Sequence, residues 1–180
     1  MPTIFTHAAI PVLLGNAAGK QRVSRRLIMA ASLAAMLPDV DTLGFRFGIA
    51  YANPFGHRGA MHSLTSALLM ALMAALLHQR LRASATLAFI GVGLAAISHP
   101  LLDMLTDGGL GIALFWPLSD QRYFFHWRPI QVSSIGTRFF SAHSWSVLES
   151  EVLWVWLPAG LIALILYGLR RHTEARQASR

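Results

Sequence analysis

Five mostly apolar stretches alternate with polar connections along the chain, at about residues 4–18, 27–38, 64–78, 83–98 and 152–169. Each falls short of the ~20 apolar residues that carry a helix cleanly across a bilayer, so a crossing has to draw on the polar flanks. The pattern predicts an all-α fold, a multi-pass membrane helical bundle with about five hydrophobic helices. No internal repeat, linker or low-complexity segment divides the chain, and residues 1–180 are expected to form a single membrane-embedded domain.

The polar residues between the runs are sorted. Lys20, Arg22, Arg25 and Arg26 fill the first connection, Arg80 and Arg82 the third, and Arg170, Arg171, Arg176 and Arg180 follow the last run. Cations in alternate connections mark the cytoplasmic side of a membrane protein. That rule puts the N-terminus and the 39–63 and 107–150 connections on the outer side. Imidazoles and carboxylates collect there: His7, Asp39 and Asp41, His57 and His62, His99 and Asp103, Glu149 and Glu151. At the basic ends only His78, His172 and Glu174 break the sorting, which is the main functional signal of the sequence.

Composition narrows the classes. The chain is 54% hydrophobic and 13% charged, against about 25% charged in an average soluble domain. The net charge of +7 could suit nucleic acid, but a binding face would need its cations together beside groove-reading groups. Spread over alternate connections they satisfy membrane topology instead, so membrane lipids are expected as partners and nucleic acid is not. There is no cysteine, which leaves His, carboxylate or water as the only metal ligands. The first basic residue is Lys20, so the positively charged start of a signal peptide is missing and the N-terminus is expected to stay on the mature protein. Half of the aromatic residues fall between 110 and 150, predicting an aromatic-rich periplasmic connection in the headgroup layer or a packed lid.

The stretch "SHPLLDMLTDGG" (98–109) places His99, Asp103 and Asp107 on one helix face. An isolated HxxxD pair is either two ligands or a hydrogen-bonded helix end. Pro100 predicts a kink or a fresh helix start beside it, and Asp107 lies in a glycine-rich exit that reads as a turn. In "LPDVD" (37–41), Asp39 or Asp41 caps a following helix, or Asp39 is a ligand and Asp41 holds a histidine or a second ion. "GHRGAMHS" (56–63) brings His57, Arg58, His62 and Ser63 to the mouth of the third run, as a surface loop or as ligands beside an arginine. A guanidinium there can bind two oxygens of an anionic, phosphate-like substrate at once. His7 is a buried structural histidine unless it joins this group. His126 and His143 read as interfacial or structural, and Glu149 and Glu151 as a charged helix start. Several chemistries are excluded by missing motifs: HExxH, GxSxG, GxGD, PSGH and the paired-histidine boxes of desaturases.

Taken in order, "TH" (6–7), "PDVD" (38–41), "HRGAMHS" (57–63), "SHPLLDMLTDGG" (98–109) and "FWPLS" (115–119) resemble the YdjM-like family of bacterial inner-membrane proteins, predicted to be metal-dependent hydrolases. That family is itself similar to the zinc-dependent phospholipase C and P1-type nuclease group. The resemblance implies phosphoester hydrolysis and assigns metal ligation to His7, Asp39, His62, His99 and Asp103.

The expected protein is therefore a membrane-bound metal-dependent hydrolase acting on a lipid-like or other small anionic substrate at the periplasmic face. Mixed imidazole and carboxylate ligands favour Zn²⁺, with Mn²⁺ or Fe²⁺ as alternatives. Asp41 or Glu151 would accept the proton and Arg58 would hold the anion. Three alternatives stay open: metal binding or transport without hydrolysis, a histidine-rich lipid oxidase needing redox iron, and a peripheral helical bundle.

Overall fold

The computed structural model describes residues 1–133 and 143–179. Serine caps set three of its helices. Ser24, Ser63 and Ser84 have extended backbones, and their hydroxyls accept the N–H groups of Leu27, Ser66 and Leu87 at 3.0–3.1 Å. They open α2 (Arg25–Met36), α3 (Leu64–Leu76) and α4 (Ala85–Met104). α1 (Ile4–Ala18) precedes them. At the C-terminal side α5 (His143–Glu151) runs through a π-helical turn, Val152–Trp156, into α6 (Leu157–Ala178). Beyond α2 the chain tightens into a 3₁₀ segment, Leu37–Phe47, where Pro38 contributes no backbone donor. Pro100 does not end its helix: α4 continues to Met104 and keeps His99 and Asp103 one turn apart.

α4 packs against α2 and α3, and α1 against α2 and α6. The seam is built of small side chains, with Ala31, Ala34, Ala35, Ala67, Ala74, Ala88, Ala95 and Ala96 buried around Leu27 and Val92. Large aliphatics face outwards instead, among them Leu68, Leu69 and Leu72 of α3 and Leu161, Ile162, Leu164 and Ile165 of α6. This inverts the arrangement of a soluble core and is what packing within lipid favours, since close backbone approach, and not burial of Leu, holds the helices together. The outward side chains are the lipid contact.

Two expectations need correction. Among the described residues three helices, and not about five, are long and apolar enough to cross a membrane: Arg25–Phe47 (23 residues), Ala85–Met104 (20 residues) and His143–Ala178 (36 residues). α1 and α3, with 15 and 13 residues, rise only about 20 Å at ~1.5 Å per residue, short of the ~30 Å hydrocarbon core. Nor do the aromatics of the 110–150 connection form a cluster among the described residues. Phe115 pairs with Tyr123, Trp116 with Phe55 and Trp127 with Trp154, while Phe124 faces the guanidinium groups of Arg58 and Arg128; Phe139 and Phe140 lie outside the described residues. Residues 105–133 instead fold back over one end of the bundle, through backbone hydrogen bonds from Phe125 to Met104, Ile130 to Leu105 and Ile112 to Tyr123.

The three cationic clusters meet at the opposite end. Arg26 Nη1 donates to the carbonyl of Arg80 at 3.1 Å, Ser24 bonds the carbonyl of Leu81, and the Arg170 guanidinium lies against Gly19.

Candidate metal centre

At the covered end, three chain segments deliver four titratable side chains to one point. Asp39 comes from the 3₁₀ segment after α2, His62 from the turn Ala60–His62 before α3, and His99 and Asp103 from successive turns of α4. Each offers one donor atom, and the four atoms all lie within 4.8 Å of one another. His7, from the second turn of α1, stacks on His99 with ring centroids 3.8 Å apart and places Nε2 3.6 Å from Asp103 Oδ1. His7, His62, His99 and Asp103 are fully buried, and Asp39 keeps 5% exposure.

The spacing fits a divalent cation better than a hydrogen-bond network. His99 Nε2 is 3.5 Å from Asp39 Oδ1 and 3.9 Å from Asp103 Oδ2; His62 Nε2 is 3.7 Å and 3.4 Å from the same two oxygens. Ligand bonds of ~2.1 Å in a tetrahedron give donor–donor edges of about 3.4 Å. The Nε2 atoms of His62 and His99 and both oxygens of Asp39 and Asp103 are buried with no hydrogen-bond partner. Leaving that many polar atoms dry and unpaired is costly, and a shared cation satisfies them together.

One imidazole is already turned for ligation. His99 Nδ1 lies 2.6 Å from the carbonyl oxygen of Ala35 and can only donate to it, so the Nε2 lone pair faces the cluster. Asp41 Oδ2 lies 3.0 Å from His62 Nδ1, an ion-pair distance without hydrogen-bond geometry, while its Oδ1 is 2.6 Å from His57 Nδ1 and Oδ2 accepts the backbone N–H of Arg58 at 3.2 Å. Asp41, His57 and His62 form a second group of three with ligand-type spacing. Burial alone would lower the pKa of His62, but the carboxylates of Asp103, Asp39 and Asp41 outweigh it and raise the pKa to about 10.

Arg58 is buried beside Asp103, its Nε 3.4 Å from Oδ2. Its fork is held by the Gly108 carbonyl (2.6 Å) and Thr106 Oγ1 (2.8 Å), and its backbone adopts φ +64°. Glu151 is fully buried but not among the four donors; it accepts Thr3 N–H, Thr3 Oγ1–H and Thr6 Oγ1–H at 2.5–2.6 Å, tying the start of α1 to the end of α5. Asp107 accepts the N–H of Val132 at 2.8 Å. His126, His143 and Glu149 are exposed. The residues that sequence reasoning missed are Thr106, which grips Arg58, the Thr3 and Thr6 pair, and the Ala35 carbonyl. Thr106 stands inside a quoted motif; the alanine carries no side-chain signal at all.

The arrangement is thus a buried His/Asp cluster able to coordinate a divalent metal ion within a membrane protein. The model of the YdjM inner membrane protein family matches residues 1–175. Inner membrane protein YbcI of Escherichia coli (strain K12) is 40% identical over 173 residues, covering 95% of this chain and 100% of that protein. No solved structure matches. With nearly its whole length matched, its apolar spans and its histidine and aspartate motifs in place, the chain belongs to the YdjM family of bacterial multi-pass inner-membrane proteins.

Proposed function

We propose that the chain acts as one membrane-embedded, metal-dependent hydrolase domain that cleaves a phosphoester at the periplasmic face. The observation that carries this reading is the set of unpaired donors on Asp39, His62, His99 and Asp103 beside the buried Arg58. A divalent ion held by those four residues, with His7 alongside, supplies Lewis acidity that polarises a phosphoryl oxygen and acidifies water to a pKa of ~7. Mixed nitrogen and oxygen donors favour Zn²⁺, with Mn²⁺ and Fe²⁺ as alternatives.

The remaining residues set charge and orientation. Arg58 opposes the carboxylate of Asp103, so a divalent cation leaves the end of the bundle complementary to an anionic group. Asp41 meets His57, His62 and the Arg58 backbone, and in this reading its charge favours a proton on His62 Nδ1 and it relays that proton. Glu151 anchors α1 and with it His7.

Near-complete burial of the donors favours a second reading, because structural metal sites are closed while catalytic sites keep a position open. Metal analysis of the purified protein, followed by turnover of bis(p-nitrophenyl) phosphate with and without chelator, separates the two. Chelator-sensitive turnover supports the hydrolase. Stoichiometric metal without turnover supports the structural or transport role, and absence of metal from protein offered Zn²⁺, Mn²⁺ and Fe²⁺ overturns both.

A further inference from the structure

α2 and α3 hardly touch each other, since both are held against α4. The gap between them is an apolar groove of about 710 Å³, within the ~300–1,000 Å³ range of ligand sites. Its walls include Leu33 and Leu37 on the α2 side and Leu69, Met73 and Leu77 on α3, and Ser66 is its one polar side chain. Small residues at 30, 34 and 74 leave the floor open, and the methionine walls can adapt to an unbranched occupant.

Two features decide what that occupant is. From Ser66 to Leu77 the groove follows α3 for about 17 Å at ~1.5 Å per residue, close to the ~15 Å depth of one leaflet, half of the hydrocarbon core. One end of the groove is bounded by chain neighbours of the metal donors, which are themselves buried behind it: Met61 lines the groove and precedes His62, and Leu37 and Val40 line it on either side of Asp39. We infer that this groove seats one acyl chain of a membrane phospholipid, with its phosphate carried to the cluster beside Arg58. Together with the proposed hydrolase activity, on which this part rests, it makes the substrate class a membrane lipid phosphoester.

The test uses the full-length protein in vesicles of phosphatidylethanolamine and phosphatidylglycerol doped with a phosphatidylglycerol that carries a diazirine midway along one acyl chain. After irradiation, adducts are mapped by mass spectrometry. The expected result is several-fold more label per residue on Leu33, Leu69 and Met73 than on Leu161 and Ile165 of α6, which face lipid without a groove. Filling the groove by Ser66→Trp, or by Ala30→Phe should the first variant not give a monodisperse protein, is expected to abolish that excess. Equal labelling of α6 and the groove, or an excess that survives filling, overturns the lipid seat. The same vesicles are assayed for phosphodiester turnover: groove labelling without any turnover overturns the lipid as substrate and with it the hydrolase reading, whereas turnover without groove labelling overturns only the seat.

Discussion

Asp41 and His62 are joined at 3.0 Å between Oδ2 and Nδ1, which leaves the Nε2 of His62 directed at Asp39 and Asp103. The nearby carboxylate favours a proton on Nδ1 by its charge. Replacing such a partner costs about 10- to 100-fold in metal affinity. Asp41→Asn, which keeps the shape but weakens the acceptor, is expected to weaken Zn²⁺ binding by that factor, measured by competition with a fluorescent chelator in detergent. An unchanged affinity would show that His62 needs no such partner.

The donors themselves should behave more severely. His99→Ala and Asp103→Ala each remove one corner of the four-atom group, and bound metal is expected to fall from about one ion per chain to background by elemental analysis. His7→Ala, outside the group of four, is expected to retain metal with reduced affinity. A His99→Ala protein that keeps a full complement of metal would rule out the cluster as assigned.

Acidity enters through His62. Its folded pKa of about 10 lies above the ordinary ~6.5, so in chelator-treated protein the charged imidazole stabilises the fold. That contribution is complete below about pH 6.5 and disappears as pH rises towards 10. Metal binding must displace the same proton, so Zn²⁺ affinity is expected to climb with pH between 6 and 9. Thermal unfolding of the metal-free protein across this range, beside Zn²⁺ titrations, checks both signs; a metal-free Tm that rises with pH would contradict the first.

Gly109 is held at φ +93°, and a Cβ there would stand 2.5 Å from Arg58 Nη1 and 2.7 Å from the Tyr51 hydroxyl. Gly109→Ala therefore combines a disfavoured backbone with displacement of the arginine, and about 1–3 kcal/mol of destabilisation is expected. Gly160 of α6 has nothing within 4 Å, and Gly160→Ala is expected to be neutral or slightly stabilising. Comparing the two melting temperatures in detergent tests the close packing around Arg58.

Glu151 separates anchoring from proton transfer. Its oxygens are occupied by Thr3 and Thr6, whose hydroxyl also accepts the indole N–H of Trp156 at 2.7 Å. Glu151→Gln is expected to lower stability by roughly 1.5–3 kcal/mol, the worth of hydrogen bonds to a charged group, while metal content persists. Unchanged stability with abolished phosphodiester turnover would instead make Glu151 the proton acceptor.

The helical, membrane-bound character was legible because it depends on local properties: runs of apolar residues and cations confined to alternate connections. These act through bilayer partition, which needs no knowledge of the partner helix. The number of full crossings was not legible, because α1 and α3 are as apolar as their neighbours and differ only in where the helix stops. The continuous helix through Pro100 and the separation of the aromatics into pairs were equally hidden. Sequence determined which residue types could bind a metal, through the sorting of His7, Asp39, His62, His99 and Asp103 away from the arginines. Only tertiary packing decided that three segments place their four donors 3.4–3.9 Å apart, that the Ala35 carbonyl orients His99, and that Glu151 serves α1. Those relations depend on how small alanines let α2 and α4 approach, and approach distance is a property of the pair of helices that neither sequence segment carries alone.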